Sequence, residues 1–107
     1  MVAIITKASV DSLGLTAGKS VFAIVKASEV MIGKGFDSAK LSARNVLPGQ
    51  VASVKDGAVN SEILVRLPGG IEIVASITKA SAHNLGLATG DRVSAVIKAS
   101  NVMIGVE

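Results

Sequence analysis

Residues 73–105 read IVASITKASAHNLGLATGDRVSAVIKASNVMIG, and residues 1–33 read MVAIITKASVDSLGLTAGKSVFAIVKASEVMIG. The two stretches align without a gap at an offset of 72 residues and are identical at 20 of 33 positions. Such self-similarity at a fixed period indicates a repeated structural unit. The chain has only 107 residues, so residues 41–72 have no counterpart upstream. We therefore expect one complete unit at 41–107 and the second half of another at 1–33, joined by a linker at 34–40.

The complete unit has the residue pattern of a β-rich domain. Ser61 to Leu67 alternates apolar and polar side chains, as a half-buried strand does. Pro68-Gly69-Gly70 then predicts the turn of a hairpin. Further strands are predicted over 41–47, 50–55, 71–77, 92–98 and 101–106, with turns at Pro48-Gly49 and Asp56-Gly57.

One short helix per unit interrupts the strands. Thr78 suits a helix N-cap, residues 79–84 a short helix, and Gly86 the left-handed position just after it. The order of elements resembles the OB-type barrels, which close to remove exposed strand edges. We predict an all-β fold class, a small OB-like barrel of five or six strands with one short helix.

The partial unit lacks the strands that would close such a barrel. Met1 aligns with Ile73, inside the predicted fourth strand, so the three strands before it are absent. Unpaired strand edges invite pairing with another chain. Residues 1–33 are either a natural partial repeat or the product of truncation. In both cases we expect them to complete a barrel with another subunit or a missing fragment, as a homo-oligomer.

The composition excludes several classes of protein. There is no cysteine and one histidine, His83, which leaves no basis for a thiolate metal site or a histidine cluster. The longest apolar run, Val21 to Val25, is too short for a membrane span. Phe22 and Phe36 are the only aromatic residues, which argues against nucleic-acid binding by base stacking. Gly14 and Gly18 are separated by three residues where a phosphate-binding loop needs four. The sequence predicts a soluble, cytoplasmic protein that is not an enzyme.

Several clusters carry side chains that hold a tetrahedral oxyanion. Ser42-Ala43-Arg44-Asn45 offers a hydroxyl, a guanidinium that can contact two anion oxygens, and an amide. Thr78 offers a hydroxyl beside the N–H groups of a helix start. Lys98-Ala99-Ser100 adds a cation and a second hydroxyl. The partial unit repeats the last two clusters as Thr6 and Lys26-Ala27-Ser28.

Residues 40–107 resemble a known domain along almost their whole length. The matching motifs include Leu41 to Asn45, Gly49-Gln50-Val51, Gly57 to Asn60, Leu85-Gly86-Leu87 and Val96 to Val102. Together they resemble the molybdate-binding Mop (TOBE-type) domain, and residues 1–33 resemble the back half of a second one. The resemblance implies an OB-like barrel, in agreement with the strand pattern.

The resemblance also implies a function. Its members include molbindins, small cytoplasmic proteins that bind molybdate or tungstate for storage or homeostasis, at sites between units of a trimer or hexamer. Carried over, the main site takes Ser42, Ala43 and Arg44 from one unit, and Thr78, Lys98, Ala99 and Ser100 from its neighbour. A second type of site near a threefold axis matches Gly57, Ala58, Val59 and Asn60.

The same resemblance leaves an alternative role open. Paired Mop domains also resemble the effector half of molybdate-responsive transcription regulators, and single copies resemble accessory domains of transport ATPases. The expected partners are a small inorganic oxyanion and further copies of the chain, without nucleic acid or membrane. No cofactor, catalytic residue or direct protein ligand to the metal atom is expected.

Overall fold

The computed structural model describes residues 1–35 and 41–107. Most of the predicted linker, residues 36–40, lies outside the described residues. The elements in chain order are helix α1 Lys7–Leu13, strand β1 Phe22–Ile24, a 3-10 turn Ala27–Glu29, β2 Met31–Gly33, β3 Asn45–Asp56, β4 Asn60–Arg66, β5 Glu72–Thr78, α2 Lys79–Asn84, β6 Arg92–Ile97, a 3-10 turn Ala99–Asn101 and β7 Met103–Gly105.

The main sheet has five antiparallel strands in the order β2-β6-β3-β4-β5. Small and β-branched side chains fill its inner face, which suits a chain almost without aromatic residues. The fully buried members are Val51, Ile63, Val65, Ala75, Ala95 and Ile97. The 3-10 turn Ala27–Glu29 packs against β5. The predicted all-β, OB-like fold class is confirmed.

The predicted turn at Pro48-Gly49 is wrong, because β3 continues through it. Residues 45–50 pair with β6, and residues 50–56 pair with β4. Residues 45–49 have a strand neighbour on one side only, where a proline is tolerated because no second strand needs its missing N–H. A side chain on Gly49 would place its Cβ 2.7 Å from the carbonyl oxygen of Arg66. Glycine therefore lets β4 approach the bend of a continuous strand.

The last strands of the two units are exchanged. The prediction that residues 101–106 finish the barrel of their own unit is wrong, because β7 pairs with β1 in a separate two-stranded sheet. The place beside β6 is taken by β2 of the partial unit. The partial unit therefore pairs with the complete unit of its own chain, whereas we expected it to complete a barrel with another subunit or a missing fragment.

Both helices begin and end as the sequence indicates. The Thr78 hydroxyl accepts a hydrogen bond from the Ser81 N–H at 3.1 Å, and Gly86 adopts a left-handed φ of 61°. Thr6 caps α1 in the same way through Ser9. Capping residues and glycines act within a few positions of the helix end, which explains why these predictions are confirmed.

A lysine also satisfies the carbonyl groups at the end of each helix. Lys19 Nζ donates to the carbonyl oxygens of Leu13 and Gly14 within the partial unit. The repeat places Asp91 at the position of Lys19 in the complete unit, and there Lys34 arrives from beyond β2 instead. Its Nζ donates to the Leu85 carbonyl at 3.2 Å and to Asp91 Oδ2 at 3.1 Å. Lys34, which directly follows the exchanged strand β2, thus links that strand to the complete unit by hydrogen bonds.

Candidate anion-binding site

Two short segments meet where the ladder between β3 and β6 ends. We call residues 42–44 the Ser-Ala-Arg segment and residues 98–100 the Lys-Ala-Ser segment. Asn45 and Ile97 form the last registered pair of the ladder. One segment precedes Asn45 and the other follows Ile97, so both leave the sheet side by side. They border one cavity of about 540 Å³.

The walls of this cavity are largely apolar, with the polar groups at its accessible edge. Ser42, Arg44, Lys98 and Ser100 are exposed, whereas Ala99 is buried. The remaining lining residues are Ile4, Met31, Ile32, Gly33, Leu41, Ala43 and Val96. Four of these seven come from the partial unit, so the cavity is built by both units of one chain.

The charges at this cavity favour an anion. Arg44 and Lys98 supply two positive charges, and none of the described residues that line the cavity is acidic. The guanidinium, the ammonium and the two serine hydroxyls can all donate hydrogen bonds. Charge-assisted bonds of this kind are about twice as strong as neutral ones. The arrangement can neutralise and orient a small dianion.

Asn45 was predicted to contact the anion, but its amide is turned towards the start of the chain. It is 2% exposed. Its Oδ1 accepts a hydrogen bond from the Val2 N–H at 2.6 Å, and its Nδ2 donates to the Val2 carbonyl at 2.7 Å. Asn45 does not line the cavity between the two segments.

The two predicted threonines lie away from this cavity. Thr6 and Thr78 are both N-caps, and each hydroxyl also contacts a serine three positions later. Thr78 lines a different cavity of about 540 Å³, together with Ser28 of the partial unit. Within one chain, the structure thus groups Thr78 with Ser28 and the Lys-Ala-Ser segment with the Ser-Ala-Arg segment.

The repeat of the Lys-Ala-Ser segment, residues 26–28, has a different setting. Lys26 and Ser28 are exposed, and Ala27 lines an apolar cavity of about 620 Å³. The partial unit contributes no second Ser-Ala-Arg segment to either of the cavities that Ala27 and Ser28 line. The two copies of one motif therefore have unequal surroundings.

The predicted second type of site lies at the turn between β3 and β4. Gly57 and Asn60 line a cavity of about 340 Å³ that also contains Asp56, Glu62 and Lys55. The Gly57 N–H donates to the Asn60 carbonyl at 2.7 Å. Ala58 and Val59 are exposed beside it. Two carboxylates against one lysine make this turn less favourable for an oxyanion within a single chain, and the assignment stays a prediction.

The sequence reasoning missed the contribution of the partial unit to the main cavity. Ile4 and residues 31–33 line it, yet their apolar side chains carry no binding signal of their own. Their presence follows from the exchange of β2. The identity of residues 31–33 and 103–105 hinted at such an exchange, since identical strands can take each other's places.

Across residues 1–35 and 41–107, no helix combines the length and apolar character needed to cross a membrane. The same residues contain no group of three or more histidine, cysteine, aspartate or glutamate side chains placed to hold a metal ion.

Comparisons with known proteins identify the domain family to which the chain is similar. The TOBE domain model matches residues 1–32 and 41–104. The chain is 44% identical over 104 residues to the molybdenum transport protein ModE of Azotobacter vinelandii, covering 97% of this chain and 38% of that protein. It is also 44% identical over 106 residues to the molybdenum-pterin-binding protein MopA of Rhodobacter capsulatus, covering 99% of this chain and 40% of MopA.

A solved structure extends the comparison to three dimensions. The cytoplasmic molybdate-binding protein ModG, crystallised with molybdate, superimposes with a TM-score of 0.92 at 48% identity. The match covers 98% of this chain and 74% of the ModG chain. The chain spans about two fifths of the length of ModE and MopA, so these relatives contain long regions without a counterpart here.

Proposed function

The chain belongs to the TOBE-domain family, and from that premise we propose that it binds molybdate, with tungstate as a second ligand, for intracellular storage or homeostasis. The carrying observation is the cavity that Arg44 and Lys98 both line, without an acidic side chain among the described lining residues. Two positive charges match the two negative charges of the oxyanion. The ModG structure with molybdate supports this ligand.

Binding in this proposal involves no chemical step. Arg44 and Lys98 neutralise the anion, and the hydroxyls of Ser42 and Ser100 donate to its oxygens. The apolar walls exclude water from part of the anion and so strengthen these interactions. Buried Ala99 lets the backbone of its segment come close to the ligand. The protein is a binding protein without a cofactor. We propose that it acts in the cytoplasm.

Molybdate, tungstate and sulfate carry the same charge and shape, so their discrimination depends on size. A cavity that fits the larger anions leaves sulfate with longer, weaker hydrogen bonds. Titration calorimetry of the full chain with molybdate, tungstate and sulfate tests the proposal. We expect binding of the first two in preference to sulfate, and absence of heat with molybdate up to millimolar concentration contradicts it.

We propose in addition that the chain assembles as a trimer or hexamer. Strand β1 pairs with β7 on one side only among the described residues. Its Phe22 and Ile24 are 54% and 48% exposed, although both are large and apolar. An open edge with apolar side chains favours pairing with another copy. Native mass spectrometry with and without molybdate reports the number of subunits and the anions per assembly, and a monomer under both conditions contradicts assembly.

A sensing role is the second candidate, and the observation that favours it is the kind of relative found. The chain is 39% identical over 105 residues to the transcriptional regulator ModE of Yersinia pestis, of which it covers 39%. A module of this size can serve as the anion-responsive part of a longer regulator. Measuring whether molybdate changes DNA binding by a longer protein that contains this chain separates regulation from storage.

A further inference from the structure

The first residues of the chain connect the two segments of the proposed anion site. Val2 exchanges two hydrogen bonds with the amide of Asn45, at 2.6 and 2.7 Å. Two residues later, the Ile4 N–H donates to the carbonyl of Ala99 at 2.9 Å. Asn45 directly follows the Ser-Ala-Arg segment, and Ala99 is the centre of the Lys-Ala-Ser segment. Residues 2–4, which we call the tie, therefore contact both sides of the cavity.

The tie joins the last paired residue of β3 to the segment that follows β6. The last registered pair between β3 and β6 is Asn45 with Ile97. Beyond this pair, no ladder hydrogen bond sets the separation of residues 42–44 from residues 98–100. The tie runs from the Asn45 amide to the Ala99 carbonyl, and the side chain of Ile4 also lines the cavity. The tie thus links the Lys-Ala-Ser segment, beyond the end of the ladder, to Asn45 at the start of β3.

Both polar groups of the Asn45 amide form hydrogen bonds with Val2. Asn45 is 2% exposed, and a buried amide is costly unless its donor and acceptor are both satisfied. The Val2 N–H meets the amide oxygen, and the Val2 carbonyl meets the amide nitrogen, as in a pair of strand hydrogen bonds. An amide rotated by 180° would place its NH2 group against the Val2 N–H and its oxygen against the Val2 carbonyl oxygen. Only one orientation therefore satisfies both groups, and it directs both bonds at the tie.

We propose that Asn45 is a positioning residue, which sets the width of the anion cavity through Val2 and does not itself contact the anion. This inference rests on the proposed function, because it assumes that the cavity binds an oxyanion. Loss of the contact releases the tie from Asn45, so residues 98–100 can move relative to residues 42–44. The affinity for molybdate falls, and the preference for molybdate over sulfate falls with it, because discrimination by size needs a fixed width.

A pair of single variants and their combination test the proposal in the full chain. Asn45→Ala removes one end of the tie, and Ile4→Pro removes the N–H that bonds to Ala99 at the other end. Ile4→Ala is the matched control, because it removes the side chain from the cavity but keeps the N–H. Calorimetric titration with molybdate and with sulfate gives the two affinities, and thermal unfolding without anion shows that each variant is folded.

Supporting residues around a ligand site typically change affinity by about 10- to 100-fold. We expect Asn45→Ala and Ile4→Pro each to weaken molybdate binding by about tenfold and to lower the ratio of molybdate to sulfate affinity. The double variant should be no weaker than the weaker single variant, because both changes release the same tie. Ile4→Ala should weaken binding less than Ile4→Pro.

Three results overturn the inference. If the losses of Asn45→Ala and Ile4→Pro multiply in the double variant, Asn45 contacts the anion independently of the tie. If Asn45→Ala lowers thermal stability but leaves the ratio of the two affinities unchanged, its role is structural only. If the parent binds molybdate and neither single variant alters that binding, the positioning role fails while the proposed function stands. If the parent itself does not bind molybdate, the proposed function fails first.

Discussion

Met31 lies directly opposite Val96 in the pairing of β2 with β6, and the same register recurs when Met103 lies opposite Ile24. The repeat offset relates these two pairs, because Met103 corresponds to Met31 and Val96 to Ile24. Each unit therefore gives its last strand to the other. The exchange makes the partial unit a structural part of the complete one and brings residues 31–33 to the proposed anion cavity.

The exchange predicts a specific crosslink. Opposed residues on antiparallel strands have Cα atoms about 4.5 to 5.5 Å apart, within the range of a disulfide. The chain has no cysteine of its own. The double substitution Met31→Cys with Val96→Cys should form an intrachain disulfide on oxidation, detected by mass spectrometry of the unreduced peptides.

The control pairs Met31→Cys with Leu64→Cys, because β6 and β3 separate β2 from β4 in the sheet order. This control should not crosslink within one chain. Oxidation that links Met31→Cys only to Val96→Cys of a second chain would contradict the exchange within one chain.

Arg44 should account for a large part of anion affinity. Removing a charge-assisted hydrogen bond costs about 1.5 to 3 kcal/mol, which corresponds to roughly a 10- to 150-fold weaker Kd. We expect Arg44→Ala to weaken molybdate binding by this amount, measured by titration calorimetry. The loss should become smaller as the salt concentration rises, because Arg44 is exposed and salt screens its charge.

Lys26→Ala is the matched control for Lys98→Ala. Both lysines begin an identical Lys-Ala-Ser segment, but only Lys98 shares a cavity with Arg44. We expect Lys98→Ala to weaken molybdate binding and Lys26→Ala to leave it within about twofold, since an exposed lysine away from the ligand contributes little. Equal losses in the two variants would mean that residues 26–28 also bind an anion, in a site completed by another subunit.

Gly49→Ala should destabilise the fold. The added Cβ would lie 2.7 Å from the Arg66 carbonyl oxygen and 2.9 Å from Cγ1 of Val65, both closer than real contacts allow. Forcing an extra methyl into a packed site typically costs about 1 to 3 kcal/mol. Urea denaturation measures the loss in free energy of unfolding.

Gly105→Ala is the control for this prediction, because its Cβ would meet Cδ1 of Ile24 at an ordinary 3.4 Å. We expect the control to lose clearly less stability than Gly49→Ala. If the parent, Gly49→Ala and Gly105→Ala were equally stable, β4 would not approach β3 as closely at Gly49 as described.

The ion pair of Lys34 with Asp91 predicts a response to acid. The hydrogen bond from Lys34, together with the one from the Ala88 N–H, lowers the pKa of Asp91 below its ordinary value of 3.8. Above pH 3.8 the carboxylate is ionised in both the folded and the unfolded chain, so its full contribution to stability is present. As the pH falls below 3.8, Asp91 of the unfolded chain takes up a proton first. The contribution to stability has disappeared once the pH falls below the lower pKa that Asp91 has in the folded protein.

The corresponding measurement is thermal unfolding between pH 6 and pH 3 for the parent and for Lys34→Met. The parent should be the more stable of the two at pH 6, and the difference should shrink as the pH falls below 3.8. Lys7→Met, on the exposed side of α1, should follow the parent throughout. A difference that stays constant down to pH 3 would contradict a role for this ion pair.

For the candidate site, the sequence predicts the types of residue but not how they are grouped in space. The side chains of the Ser-Ala-Arg and Lys-Ala-Ser segments indicate anion binding, and the resemblance implies that they come from neighbouring units. In the structure the two segments of the same unit, 41–107, line one cavity. Within one chain Thr78 lines a different cavity, and its place in an anion site between units stays a prediction. The side chain of Asn45 could serve equally well as a ligand or as a buried link to the backbone, and within one chain it contacts Val2.

By itself, the sequence determined the repeat, both helix caps, the Pro68 to Gly70 hairpin and the β-rich fold class. The repeat is visible by direct comparison of the two stretches. The caps, the hairpin and the strand pattern depend on residues within a few positions of one another, so local preferences are sufficient. Only the tertiary structure decided which unit each last strand joins. Met31-Ile32-Gly33 and Met103-Ile104-Gly105 are identical, so no local preference can distinguish their two possible partners. That choice depends on packing across the whole chain, and the proposed anion cavity depends on it too.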